Sequence, residues 1–149
     1  MNQFNPIHIL LVEDNPDDIQ ITRRAFNKSR IANELHVVRD GEEALEYLLR
    51  SGRYAGQADL HTPDLVLLDL NLPRLNGMEV LQRIRSTDAL AAIPVIMLTS
   101  SQREEDIFES YKSGSNTFIS KPVEFSAFLR ALEILGEYWI VVATLPKVA

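Results

Sequence analysis

An open α/β sheet, parallel and covered by helices on both faces, is the fold class that this chain of 149 residues predicts. Three observations carry the expectation. Short apolar runs recur along the chain, each about four residues long and bounded by turn residues, as expected of strands buried on both faces. Segments with helical spacing of apolar residues lie between them. The two kinds of segment alternate five times, which calls for crossover connections and few topologies.

The elements follow in order. The first strand is Ile9-Leu10-Leu11-Val12. Asn15-Pro16-Asp17-Asp18 then offers an N-cap with proline at the first helical position, and turns Ile19, Thr22, Ala25 and Phe26 inward. Leu35-His36-Val37-Val38 is the second strand. Asp40-Gly41-Glu42-Glu43 has capping-box spacing and leads a helix with Ala44, Leu45, Leu48 and Leu49 inward. Residues 51–63 are polar, with Gly52, Gly56 and Pro63, and read as an exposed loop. Leu65-Val66-Leu67-Leu68 is the third strand, followed by a helix from Gly77 to Arg85 that carries Val80, Leu81 and Ile84. Val95-Ile96-Met97-Leu98 is the fourth strand. A helix from Arg103 to Ser113 follows, with Ile107, Phe108 and Tyr111 inward and Gly114 as its stop. Thr117-Phe118-Ile119 is the fifth and weakest strand. Phe125, Phe128, Leu129, Leu132 and Leu135 then trace one helix face.

Composition removes several function classes. The net charge is −6 and no run of Lys or Arg occurs, so nucleic-acid binding, which needs clustered cations, is not expected. There is no cysteine, which excludes disulfides, thiolate catalysis and cysteine metal sites and fits a reducing compartment. No apolar stretch approaches a membrane span, and residues 1–6 lack the basic start and apolar stretch of a secretory signal, so a cytoplasmic protein without membrane contact is expected. The Asn27-Lys28-Ser29 sequon therefore lacks a secretory context. GxGxxG, Walker A and nucleophile-elbow motifs are absent. His8, His36 and His61 are far apart in sequence, make no metal-ligand spacing and read as ordinary strand or loop residues.

In a sheet of this class ligands bind beyond the C-terminal ends of the strands. Those ends carry Glu13 and Asp14, then Asp69 and Asn71, then Thr99 and Ser100, then Lys121 and Pro122. Three carboxylates, a hydroxyl and an ammonium group are thus expected at one edge. Carboxylates so close repel one another and need a dication or protons. All-oxygen donors suit Mg²⁺. A nucleophilic Asp, Mg²⁺ and Lys together suit in-line phosphoryl transfer.

These residues carry a resemblance. Leu10-Leu11-Val12-Glu13-Asp14-Asn15, Leu67-Leu68-Asp69-Leu70-Asn71-Leu72-Pro73, Gly77, Val95-Ile96-Met97-Leu98-Thr99-Ser100 and Phe118-Ile119-Ser120-Lys121-Pro122 together resemble the receiver domain of two-component response regulators, over residues 7–138. The resemblance implies a flavodoxin-like sheet in the order 2-1-3-4-5. It implies that Asp69 is the phosphoacceptor of a sensor histidine kinase. Asp14 and Asp69 would ligate Mg²⁺, Glu13 would act mostly through water, and Asn71 would lend its carbonyl. Lys121 would pair with the phosphoryl oxygens, Thr99 would hydrogen-bond them, and Phe118 would change rotamer with Thr99. Ser100 would leave the pocket open, with Pro73, Gly77 and Pro122 structural around it. The intervals Asp69–Thr99 and Thr99–Lys121 are those of the family. The interval Asp14–Asp69 is longer than in the shortest receivers, with the excess in residues 51–63.

That longer loop and the ending Tyr138-Trp139-Ile140-Val141-Val142-Ala143-Thr144-Leu145-Pro146 resemble the stand-alone regulators that partner bacterial, notably cyanobacterial, phytochrome kinases. One receiver over residues 1–149 is therefore expected, with 139–149 as a C-terminal extension. The last helix is apolar beyond its inward face, which marks an interface. A homodimer through that face and the tail, using Phe128, Ala131, Trp139, Ile140 and Val142, is the expectation. The reading is a switch in which phosphorylation of Asp69 shifts an existing equilibrium, rather than a metabolic enzyme. Two alternatives share its residues. A phosphatase of the haloacid dehalogenase type would need a second Asp where Asn71 stands. A phosphorylation-independent interaction module would have no use for the intact Glu13, Asp14, Asp69, Thr99 and Lys121.

Overall fold

A computed structural model describes residues 6–29, 31–57, 59–111 (of 107–111 the helix backbone only) and 117–136. Five strands, β1 (Ile7–Val12), β2 (Asn33–Val38), β3 (Leu65–Asp69), β4 (Val95–Thr99) and β5 (Thr117–Ser120), alternate with five helices, α1 (Pro16–Asn27), α2 (Gly41–Leu49), α3 (Gly77–Ser86), α4 (Gln102–Tyr111) and α5 (Phe125–Leu135). The strands form one parallel sheet in the order β2-β1-β3-β4-β5, as the resemblance implies.

The two-residue period of a strand sorts the apolar runs onto two faces. Ile9 and Leu11, Leu65 and Leu67, and Ile96 and Leu98 face one way, where Ile19 and Phe26 of α1 and Phe128, Leu132 and Leu135 of α5 cover them. Leu10 and Val12, Val66 and Leu68, and Val95 and Met97 face the other way, under Ala44 and Leu48 of α2 and Val80, Leu81 and Ile84 of α3. Every described residue of β3 and β4 is buried, so neither run shows polar alternation. The sheet edge at β2 is only partly covered, and Asn33, Glu34 and His36 stand there. On the first face Phe26 meets the rings of Phe125 and Phe128 edge-on at 5.5 and 4.8 Å, the favoured aromatic geometry.

The caps set the helix starts. Asn15 Oδ1 accepts from the backbone N–H groups of Asp17 and Asp18, with Pro16 at the first helical position. Asp40 caps α2 through the N–H of Glu43, but the Glu43 carboxylate accepts from the N–H of Arg39, so the expected capping box is not closed at Asp40 itself. A reciprocal box occurs instead at Asn76 and Glu79, opening α3.

Several expectations need correction. Leu49 is 41% exposed and Tyr47 is buried in its stead, because α2 ends at Leu49 and the left-handed Arg50 turns the chain away. Ala25 is half-buried. Residues 51–63 are not a featureless loop. They hold a short 3-10 turn, Gly52–Tyr54, tied to α2 by Arg53 on Glu46 (2.6 Å) and by the Tyr54 hydroxyl donating to Glu43 (2.7 Å), and Pro63 is buried. Phe128 and Ala131 belong to the core, at 0% and 2% exposure. The helical stripe that covers the sheet includes them, so they do not form an exposed face, although Ala131 reaches the floor of a surface groove. The expectations for Ile107, Phe108, Tyr111, Gly114, Trp139, Ile140 and Val142 fall outside the described side chains. No described helix is long and apolar enough to cross a membrane.

Replacing Phe128 by Ala is expected to destabilise the fold by about 3–5 kcal/mol, whereas Ile134→Ala, at 65% exposure on the same helix, is expected to stay within about 0.5 kcal/mol. Urea melts of the two variants check the assignment of α5 residues to core and surface.

Candidate functional site

Parallel strands end on one edge, and the residues that follow β1, β3, β4 and β5 meet there. Oxygens of Glu13, Asp14 and Asp69 lie within 4.8 Å of one another, with Glu13 and Asp69 buried and Asp14 exposed. Lys121 is the counter-charge. Its Nζ is 2.7 Å from Glu13 Oε1, 2.9 Å from Asp69 Oδ2 and 3.1 Å from Asp18 Oδ2. The contact with Glu13 Oε1 is a close ion pair without hydrogen-bond alignment; Glu13 Oε2 accepts from the N–H of Asn15.

The electrostatics show that one ammonium does not balance this cluster. Burial pushes the Glu13 carboxyl up to about 7, and the neighbouring Asp69 adds to the rise against the opposing pull of Lys121. Burial alone would lower the Lys121 ammonium, but the hydrogen bonds and charges of Asp69 and Glu13 outweigh it and hold the group above its ordinary value. A fixed dication would relieve the same strain. The donor set is entirely oxygen, so the residues present fit a hard cation such as Mg²⁺.

Asp69 is held at both oxygens. Oδ1 accepts from the N–H of Asn71 at 3.0 Å and Oδ2 from Lys121. Asn71 itself is exposed, and its side-chain amide donates to Glu104 Oε2 at 2.9 Å. Thr99 ends β4 fully buried. Its hydroxyl donates to the carbonyl of Ile119 at the long distance of 3.5 Å, and its own carbonyl accepts from the Lys121 N–H at 2.7 Å. Ser100 stands exposed on the rim, with its N–H and hydroxyl donating to Glu104. Phe118 is half-buried and packs against the cluster on the α2 and α3 side. Pro73 is exposed in the loop after β3, and Pro122 follows Lys121 through a cis peptide. A Cβ on Gly77 would stand 2.3 Å from the Asp69 carbonyl oxygen and 2.8 Å from Leu70 Cα. Its N–H donates to the Leu70 carbonyl at 3.0 Å. Glycine at 77 therefore lets α3 start directly against the backbone of Asp69.

With this geometry in view, the comparisons with known proteins decide the family. The model of the response regulator receiver domain matches residues 9–133. The chain belongs to that family. This receiver resembles the bacteriophytochrome response regulator AtBRR, with 49% identity and a TM-score of 0.84 over 91% of this chain and 96% of that one. It resembles the phosphorylated cyanobacterial phytochrome response regulator RcpA, with 42% identity and a TM-score of 0.72 over 96% and 100% of the two chains. The response regulator Rcp1 of Synechocystis sp. is 36% identical over 95% of this chain and 94% of its own length. Its Mn²⁺-bound structure superposes with a TM-score of 0.71 over 95% and 100% of the two chains, at 35% identity. The receiver is thus a signalling switch rather than a metabolic enzyme, related to phytochrome response regulators and carrying the acidic pocket.

Two residues of the receiver's site were missed in the sequence reading. Asp18 joins the Lys121 cluster from the first turn of α1, and nothing in its local sequence separates it from an ordinary helix-start carboxylate. Glu104 bridges the loops after β3 and β4. Its signal was available: Ser101 and Glu104 have capping-box spacing, and Ser101 Oγ accepts from the Glu104 N–H at 3.2 Å.

Two outcomes follow from this geometry. Gly77→Ala is expected to destabilise the receiver by about 1–3 kcal/mol in thermal melts, since backbone rather than a flexible side chain must give way. The folded chain protonates Glu13 more readily than the unfolded chain does. Its contribution to stability is therefore fully present below its ordinary value of 4.5 and is lost as pH rises through about 7. In EDTA, Glu13→Gln is expected to melt above wild type at about pH 8, with the gap closing toward about pH 5.

Proposed function

We propose that this receiver takes a phosphoryl group on Asp69 from a phosphohistidine of a sensor histidine kinase, in particular a phytochrome kinase. The observation that carries the reading is the Asp69 carboxylate itself, buried beside two other acids yet oriented at both oxygens by Asn71 and Lys121. In the transfer the N–P bond of the donor breaks and an Oδ–P bond forms. The histidine ring leaves with the electron pair and takes a proton from solvent. Asp14, Asp69 and the Asn71 carbonyl, with Glu13 through water, would hold Mg²⁺, which would supply neutralisation of the charge gathered on the phosphoryl oxygens. Lys121 exchanges part of its contact with Asp69 for the arriving oxygens. Ser100, small and on the rim, leaves access open.

The switch follows from Thr99. Its hydroxyl gives up only a long bond to Ile119, so a phosphoryl oxygen at Asp69 competes well for it. Phe118 precedes that carbonyl and lines a groove of about 320 Å³ with Ala127, Arg130 and Ile134. Movement of Thr99 and Phe118 together would reshape this groove. We place the output and homodimer surface there. The phytochrome partnership is supported by the relatives AtBRR and RcpA, which are described as phytochrome response regulators. The chain as one receiver over residues 1–149, without nucleic-acid or membrane contact, is part of the same proposal.

Incubation with acetyl phosphate and Mg²⁺, read by intact mass, is expected to add one phosphoryl group to the wild type and none to Asp69→Asn or to wild type in EDTA. Absence of addition to the folded, Mg²⁺-supplied wild type would favour an interaction module that does not use phosphorylation. Transfer from an autophosphorylated phytochrome kinase, compared with a non-phytochrome kinase, checks the partner.

A further inference from the structure

We propose that the chain has a second metal site, at the opposite end of the sheet from Asp69, where His8, His36 and Glu34 bind one Zn²⁺-class cation. The strand register creates it. His8 pairs with Glu34 and Leu10 pairs with His36 across β1 and β2, so all three side chains leave the same face of adjacent strands. One ring nitrogen from each histidine and one Glu34 oxygen lie within 4.8 Å of one another. These histidines are far apart in sequence, and folding gathers them: His8 lies 6.0 Å from His36 and 4.2 Å from His61, ring to ring and nearly parallel.

Unsatisfied atoms point to a ligand. His8 Nδ1 and His36 Nε2 are both buried and make no hydrogen bond. The nearest acceptor of His8 Nδ1, Glu34 Oε2, is 3.2 Å away but misaligned. Buried polar atoms in native folds are nearly always paired, and leaving them unpaired is costly. A cation placed among the three groups would satisfy both nitrogens at once.

The donor set selects the metal. Two imidazoles and one carboxylate suit Zn²⁺ and its transition-metal neighbours over Mg²⁺. Zinc bonds of about 2.0–2.2 Å require the donors to close in on one another, and the exposed Glu34 side chain has the freedom to do so. The scaffold behind His8 is fixed. Its N–H donates to Asp64 Oδ2 at 2.8 Å and its carbonyl accepts from the Asp64 N–H at 2.7 Å. Glu13 lies five residues further along the chain from His8, so at the rise of a strand the two sites are about 16 Å apart. The occupied site would clamp edge strand β2 to β1.

The test titrates Zn²⁺ into the tag-free full chain against a chromophoric chelator, with excess Mg²⁺ present to hold the acidic pocket. One Zn²⁺ per chain is expected. Loss of a direct ligand in Glu34→Gln or His36→Gln is expected to weaken binding by more than the ~10–100-fold typical of groups behind a ligand. Asp69→Asn should bind Zn²⁺ as the wild type does. Imidazole resonances of the unaltered protein give a readout that no folding defect can mimic: those of His8 and His36 should shift together and saturate at one equivalent. Zn²⁺ binding that is insensitive to Glu34→Gln and His36→Gln, or abolished by Asp69→Asn, or saturation without movement of the His8 and His36 resonances, would overturn the proposal, as would no binding.

Discussion

The Lys121 ammonium is the interaction on which the acidic edge depends. It faces Glu13 from β1, Asp18 from α1 and Asp69 from β3, and it enters from the end of β5. With Asp14 included, four carboxylates share one cation. Two like charges about 4 Å apart oppose each other by on the order of 4 kcal/mol at the effective dielectric near a protein surface. One ammonium cannot cancel several such terms. Burial first, and then the neighbouring Asp69, keep the Glu13 carboxyl raised against the opposing pull of Lys121. The site is therefore organised around a deficit of positive charge, and that deficit is what makes it receptive to a hard cation.

The fold tolerates this strain because the rest of the molecule is conventional. Apolar strands filled on both faces and two helical layers supply the cohesion. The charged residues lie at the last position of a strand, as Asp69 does in β3, or just beyond it, as Glu13, Asp14 and Lys121 do. Gly77 shows how close the fit is, since α3 begins against the Asp69 carbonyl with no room for a Cβ. Glu104 joins the loops after β3 and β4 through Asn71 and Ser100. The Asp69 carboxylate itself takes its direction from the Asn71 N–H at one oxygen and the Lys121 ammonium at the other.

The sheet also has a second polar end. At the N-terminal side of β1 and β2 the side chains of His8, Glu34 and His36 converge under the loop that brings in His61. Edge strand β2 is the least covered of the described strands, and its polar residues stand at that edge, with His36 beside Tyr47 of α2. The two polar ends differ in donor chemistry, oxygen at one and mostly nitrogen at the other, so they favour different cations.

The sequence by itself determined the strand–helix alternation, the strand ends and the identities of Glu13, Asp14, Asp69, Thr99 and Lys121, because apolar runs and the residues that terminate them are local features. It did not determine which helix residues are covered. Leu49 and Tyr47 exchanged places because the end of α2, not the average helical period, set the last turn. Phe128 reads both as part of the inward stripe and as interface, and Ala131 as interface, yet α5 uses both to cover the sheet. Asp18 and the histidine cluster are unremarkable in sequence for the same reason, and Glu104 shows there only its capping spacing to Ser101. Each acquires its role from partners on other strands or loops, such as Lys121 across 103 residues of chain, and only the parallel register brings those partners within bonding distance.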